Sequence, residues 1–112
     1  MSTQVDPGKL ILSMALTLLL ASCASSVEKK NRSHTVEINQ MKFVPADLTV
    51  AKGDTVVFVN HDFLTHDVTE QASKAWKSSP LPPGSSWTFV VDATYDYYCT
   101  IHPVMKGRLV AK

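Results

Sequence analysis

The chain has 112 residues, 45% of them apolar and 19% charged, with 11 Lys plus Arg against 10 Asp plus Glu. That length suits one domain, and the composition excludes a disordered or collagen-like chain. A net charge of +1 leaves no basic footprint for nucleic acid, and two cysteines exclude a multi-disulfide scaffold. A small binding or carrier module remains, rather than an elaborate enzyme.

In chain order, Leu10 to Ala21 is an apolar run broken only by Ser13 and Thr17. As a helix it spans about 18 Å, against about 30 Å for a bilayer core, so it reads as the apolar region of a secretory signal. Leu20-Ala21-Ser22-Cys23 closes it. This motif resembles the lipobox of bacterial lipoproteins, which implies cleavage before Cys23 and lipidation of Cys23. In a Gram-negative host the Ala at position 24, where inner-membrane retention uses Asp, points to the outer membrane. Residues 24–33 are small, polar and charged and read as a tether. The expected organisation is a signal peptide over 1–22, lipidated Cys23 with a tether over 23–33, and one domain over 34–112. A domain of that size is marginal by its core alone and gains from a bound metal.

From His34 the apolar period is two. Val36, Ile38 and Gln40 share one face of a strand, and Pro45 interrupts the chain soon after. Asp47–Val50 reads as a short strand and Lys52-Gly53-Asp54 as a turn. Thr55–Val59 is apolar on both faces, as a central strand should be. Val68 and Thr69 come after a loop, and Pro80, Pro82, Pro83 and Gly84 argue against regular structure over residues 71–86. Trp87, Phe89 and Val91 share one face. Tyr95, Tyr97 and Cys99 share another, and Leu109 and Ala111 lie on the last strand. About seven to eight short strands without a long amphipathic helix predict an all-β Greek-key β-sandwich.

Chemistry concentrates in Cys99-Thr100-Ile101-His102-Pro103-Val104-Met105, where Cys, His and Met recur at three-residue intervals. His66 lies in Thr65-His66-Asp67-Val68. Singly, a Cys or a Met is usually core filler and a His usually solvated. Together, one thiolate, two imidazoles and a thioether are the donors of a blue-copper centre. The soft sulfur ligands favour Cu(I), whereas imidazole accepts both oxidation states. Zinc is the competing ion, but four-ligand zinc sites rarely use Met. His34 and His61 read as surface residues and Met41 as core or rim.

These residues resemble the cupredoxins, closest to the amicyanin and plastocyanin group. The resemblance runs through Met41-Lys42-Phe43-Val44-Pro45, Gly53-Asp54, Asn60, Thr65-His66-Asp67-Val68, Leu81-Pro82-Pro83-Gly84 and Tyr97-Tyr98-Cys99. The Cys-x2-His-x2-Met spacing resembles the short amicyanin-type loop. The resemblance implies one type 1 copper ion with His66, Cys99 and His102 as equatorial ligands and Met105 as the axial one. It implies that the Asp67 N–H donates to the Cys99 sulfur while its side chain accepts from Thr100. Two positions depart from the pattern. Asp67 stands where the group commonly has Asn, which adds negative charge. Ile101 stands where it commonly has Pro, which keeps an N–H that could reach the sulfur.

The expected function is a periplasm-facing, lipid-anchored carrier of single electrons, monomeric, and not an enzyme because protein side chains fill the metal positions. The alternative is a copper chaperone or copper-resistance protein on the same fold. Redox partners should dock transiently where His102 reaches the surface, on Leu64, Leu81, Pro82, Pro83, Pro103 and Val104, with Pro45 nearby.

Overall fold

Alternating apolar and polar residues build most of the eight short strands. They are β1 (Ser33–Asn39), β2 (Lys42–Val44), β3 (Asp47–Val50), β4 (Thr55–Asn60), β5 (Thr69–Glu70), β6 (Ser86–Val90), β7 (Tyr95–Tyr98) and β8 (Lys106–Ala111). The two-residue β5 instead buries both Thr69 and Glu70. The computed structural model describes residues 30–112. The signal segment, Cys23 and most of the tether therefore lie outside the described residues. One sheet has the order β2-β1-β4-β6 and the other β3-β8-β7-β5. The chain crosses repeatedly between them, so β1 pairs in parallel with β4 and β3 with β8. This is the all-β sandwich expected, with β4 as an interior strand of its sheet.

Side chains from both inner faces interlock between the sheets. Val36, Ile38, Val56, Phe58, Tyr97 and Leu109 are fully buried. The Tyr97 ring meets Phe43 at 4.8 Å and Phe58 at 5.3 Å between centroids, both edge to face. Gly107 on the neighbouring strand is what admits that ring: a Cβ there would lie 2.2 Å from the Tyr97 Cζ. Burial holds the Tyr97 phenol above its ordinary pKa.

Three details differ from the sequence reading. Gln40 does not continue the buried face of β1; it is exposed, with φ 53°. With Met41 at φ 61° it forms a two-residue turn, and β2 pairs back onto β1 through Lys42–Val44. Such hairpins need positive φ at both positions, usually signalled by Asn or Gly, and neither residue type stands here. His34 is a half-buried tie rather than a free surface residue: its Nε2 lies 2.9 Å from Asp54 Oδ2.

Two carboxylates hold the loops away from the metal end. Asp54 accepts the Arg32 and Ala51 N–H groups, and its hydrogen bond with His34 does most to hold its pKa at about 2. Glu70 accepts the N–H groups of Ala75, Ser73 and Ala72 and the Ser73 hydroxyl, which hold its pKa at about 2. Both values lie below the unfolded ones of about 3.9 and 4.3. The unfolded chain therefore takes up protons first, and the stability these groups contribute at neutral pH is lost as pH falls from about 4 toward 2. Urea denaturation across that window should show the decline. Glu70→Gln should flatten part of it, and an identical slope in the variant would mean Glu70 does not supply it.

Candidate metal centre

The site forms where the loop after β4 meets the loop after β7. Asn60, the last residue of β4, is fully buried and braces the first loop. Its Nδ2 donates to the carbonyls of Leu64 and Leu81, each at 2.8 Å. His66 is then fixed by backbone pairing with Leu81 in both directions, at 3.1 and 2.7 Å. The second loop closes on itself: the Cys99 N–H donates to the Met105 carbonyl and the Met105 N–H to the His102 carbonyl. These bonds hold Cys99, His102 and Met105 in one tight turn.

His66, Cys99 and His102 converge. Cys99 Sγ lies 3.8 Å from His66 Nδ1 and 3.9 Å from His102 Nδ1, and the two nitrogens are 3.1 Å apart. The in-plane point equidistant from the three atoms lies about 2.1 Å from each, within the ~2.0–2.3 Å of metal–nitrogen and metal–thiolate bonds. His66 and Cys99 are fully buried, Met105 is buried, and His102 is half-buried. The residues present thus fit a single ion.

Asp67 ties the two loops together. Its N–H donates to Cys99 Sγ at 3.4 Å. One carboxylate oxygen accepts the Thr100 N–H at 2.8 Å and the Thr69 hydroxyl at 3.1 Å; the other accepts the Thr100 hydroxyl. Among the described residues, Asp67 is the one whose backbone N–H reaches the sulfur. Ile101 makes no such bond and is 48% exposed.

Two residues passed over in the sequence matter here. Asp62 Oδ2 lies 2.9 Å from His66 Nε2. That bond, with the Met41 N–H, holds the Asp62 pKa below its ordinary value. An acidic residue four positions before a ligand-type histidine was the available signal. Phe63 is 94% exposed and Val104 82%, with Leu64 and Ile101 at 48% each. Pro45, Pro82, Pro83 and Pro103 are exposed too, but Leu81 is not. At 3% exposure, with its backbone paired to that of His66, Leu81 is a buried structural residue and not an exposed docking residue as expected.

Fold and site together define a small β-sandwich metalloprotein with a buried thiolate–imidazole centre. The sequence matches the cupredoxin-like domain family over residues 10–111. It is 32% identical to amicyanin of Paracoccus denitrificans over 94 residues, covering 79% of this chain and 72% of that one. It is 30% identical to the chloroplastic plastocyanin minor isoform of Arabidopsis thaliana, covering 99% of this chain and 72% of that one. A Cu(I) structure of an amicyanin variant superposes with a TM-score of 0.66 at 31% identity, covering 71% of this chain and 82% of that one. The chain belongs to the cupredoxin family.

The Asp67 tie can be tested without metal. Asp67→Ala leaves the buried Thr69 hydroxyl and the Thr100 donors without their acceptor, which should cost about 2–3 kcal/mol of stability. Asp67→Asn keeps an acceptor and should cost less. Equal melting temperatures for all three metal-free proteins would contradict the tie.

Proposed function

We propose that the protein is a type 1 copper electron carrier that docks transiently on redox proteins. The observation that carries this reading is the convergence of two Nδ1 atoms and one Sγ about a common point at metal-bond distance. His66, Cys99 and His102 would hold the ion, and Met105, buried in the same turn, would offer its thioether sulfur as a weak fourth donor. Bound there, copper supplies a one-electron couple. The chain's own residues do the rest. Backbone bonds across the 99–105 turn and the Asp67 bridge hold the donors in place, so little need move when the charge changes. Full burial of His66 and Cys99 keeps water from the site. That enclosure favours a carrier, which retains its ion, over a chaperone, which must release it.

The exposed apolar residues beside half-buried His102 support the docking face. An apolar surface of this kind suits a small contact that forms and separates quickly. We assign it to Phe63, Leu64, Ile101, Pro103 and Val104, with Pro82 and Pro83 at its edge. Cellular placement rests on the sequence motif: a lipidated Cys23 and the polar tether would anchor a monomeric domain facing the periplasm.

The copper-loaded oxidised protein should be intensely blue, through charge transfer from the Cys99 sulfur. Cys99→Ser should abolish the colour even where copper still binds. Met105→Leu should keep it and raise the potential, because losing a weak donor disfavours Cu(II). A blue Cys99→Ser protein would overturn the ligand set. Phe63→Glu and Val104→Glu should slow electron exchange with a native partner about tenfold, since a buried charge is costly in a small dry contact. Their potentials should be unchanged. Unaltered rates in both would place docking on another face.

A further inference from the structure

The two ends of the sandwich differ in chemistry. β4 and β8 each run from one end to the other, about 20 Å at ~3.3 Å per residue. At the site end Asn60 closes β4, Met105 precedes β8, and the loops there expose Phe63 and Val104. At the far end the chain enters β1, whose Ser33 pairs with Thr55 at the start of β4. The Lys112 N–H donates to the Val50 carbonyl at 2.9 Å, and the Lys52 N–H to the Lys112 carbonyl at 3.4 Å, so the turn before β4 and the residue after β8 lie together. Lys30, Arg32, Lys52 and Lys112 are all exposed at this end. We propose that this basic end is a membrane-facing surface: the four side chains rest on anionic lipid headgroups, and the site end points away from the bilayer toward a partner. This rests on the placement reading above, a lipidated Cys23 followed by a tether.

Two features turn the far end into a surface of one sign. The first is the carboxylate of its own turn. Asp54 faces inward, its side chain only 4% exposed, and accepts the Arg32 and Ala51 N–H groups and meets His34. That contact, with the Thr55 N–H donated to the Arg32 carbonyl at 2.9 Å, holds the entering chain against the turn. Arg32 is thereby fixed beside Lys52 rather than left on a loose arm. Asp92, which follows Val91 at this end, is exposed, and it is engaged by the Tyr95 hydroxyl at 2.6 Å. The second feature is where the rest of the chain joins. The residues before Lys30 enter at this end, and the nine steps from Cys23 to Arg32 reach at most about 32 Å. A tether of that length keeps the domain near a bilayer without orienting it. Basic side chains within a Debye length of anionic headgroups supply the orientation, each adding a favourable increment. The exposed apolar residues beside His102 then stay free for a redox protein.

The test uses the mature lipid-bearing protein with vesicles of phosphatidylcholine, alone or mixed with phosphatidylglycerol. Acetylation of lysines by an amine-reactive reagent, read by peptide mass spectrometry, reports which side chains the lipid covers. On the anionic vesicles at low salt, Lys30, Lys52 and Lys112 should react about fivefold more slowly than on the neutral ones. Lys74, Lys77 and Lys106 should react at the same rate on both. High salt should remove the protection while the protein stays attached, because salt screens charge and leaves an acyl anchor in place. The double variant Lys52→Glu, Lys112→Glu should stay attached and lose the protection of Lys30. Attached protein with equal lysine reactivity on both vesicles would overturn the basic surface and leave the anchor standing. Protection of Lys74, Lys77 and Lys106 instead would put another face on the lipid and overturn it equally. Protein that stays in solution with both kinds of vesicle would overturn the anchor and this proposal together.

Discussion

A thiolate cannot sit in an apolar interior unless something takes up its charge. Cys99 is fully buried between loops, and the groups that face its sulfur are one backbone N–H and two imidazole nitrogens. A metal ion at their common point resolves that arrangement, and much of the surrounding structure serves to keep the donors there. Asp67 joins the two ligand loops through Thr100 while its own N–H meets the sulfur. The chain therefore sets polar groups and donor atoms around one point, where an ion would complete them.

The sandwich supplies the rigidity this needs. β4 and β7 end at Asn60 and Tyr98, so each ligand loop leaves from a strand anchored in the core. The aromatic contacts of Tyr97 with Phe43 and Phe58 lie one residue away from that exit, in a packed interior where displacing a ring is costly. The Gly107 opening beneath Tyr97 shows how close the fit is. In the proposed carrier, rigidity around the donors and exposed apolar residues beside them would be complementary: one would limit rearrangement during electron transfer, the other would allow brief contact with a partner.

Much of this was legible in the sequence because it depends on period and spacing. Val36 and Ile38 marked β1, the doubly apolar Thr55–Val59 marked an interior strand, and Cys99, His102 and Met105 recur at the spacing of one tight loop. The features that were not legible depend on position in three dimensions. The Gln40–Met41 turn lacks the Asn or Gly that announces such a hairpin. Leu81 looked like rim because prolines stand directly after it, yet its backbone pairs with His66 and its side chain faces inward. Asp62 and Phe63 are neighbours in one short loop, one turned toward a ligand and the other into solvent, and no periodicity distinguishes them.

If the chain itself sets the site, one copper ion belongs at the common point of His66 Nδ1, Cys99 Sγ and His102 Nδ1, and the loops around it are formed before it arrives. Crystal structures of the copper-loaded and metal-free protein would decide this. The expected result is one copper bonded to those three atoms, Met105 sulfur on its axis, and ligand loops that superpose within a few tenths of an ångström with and without the ion. Copper bound through an Nε2 atom or away from Cys99, or a 99–105 loop that refolds when the metal is removed, would contradict it.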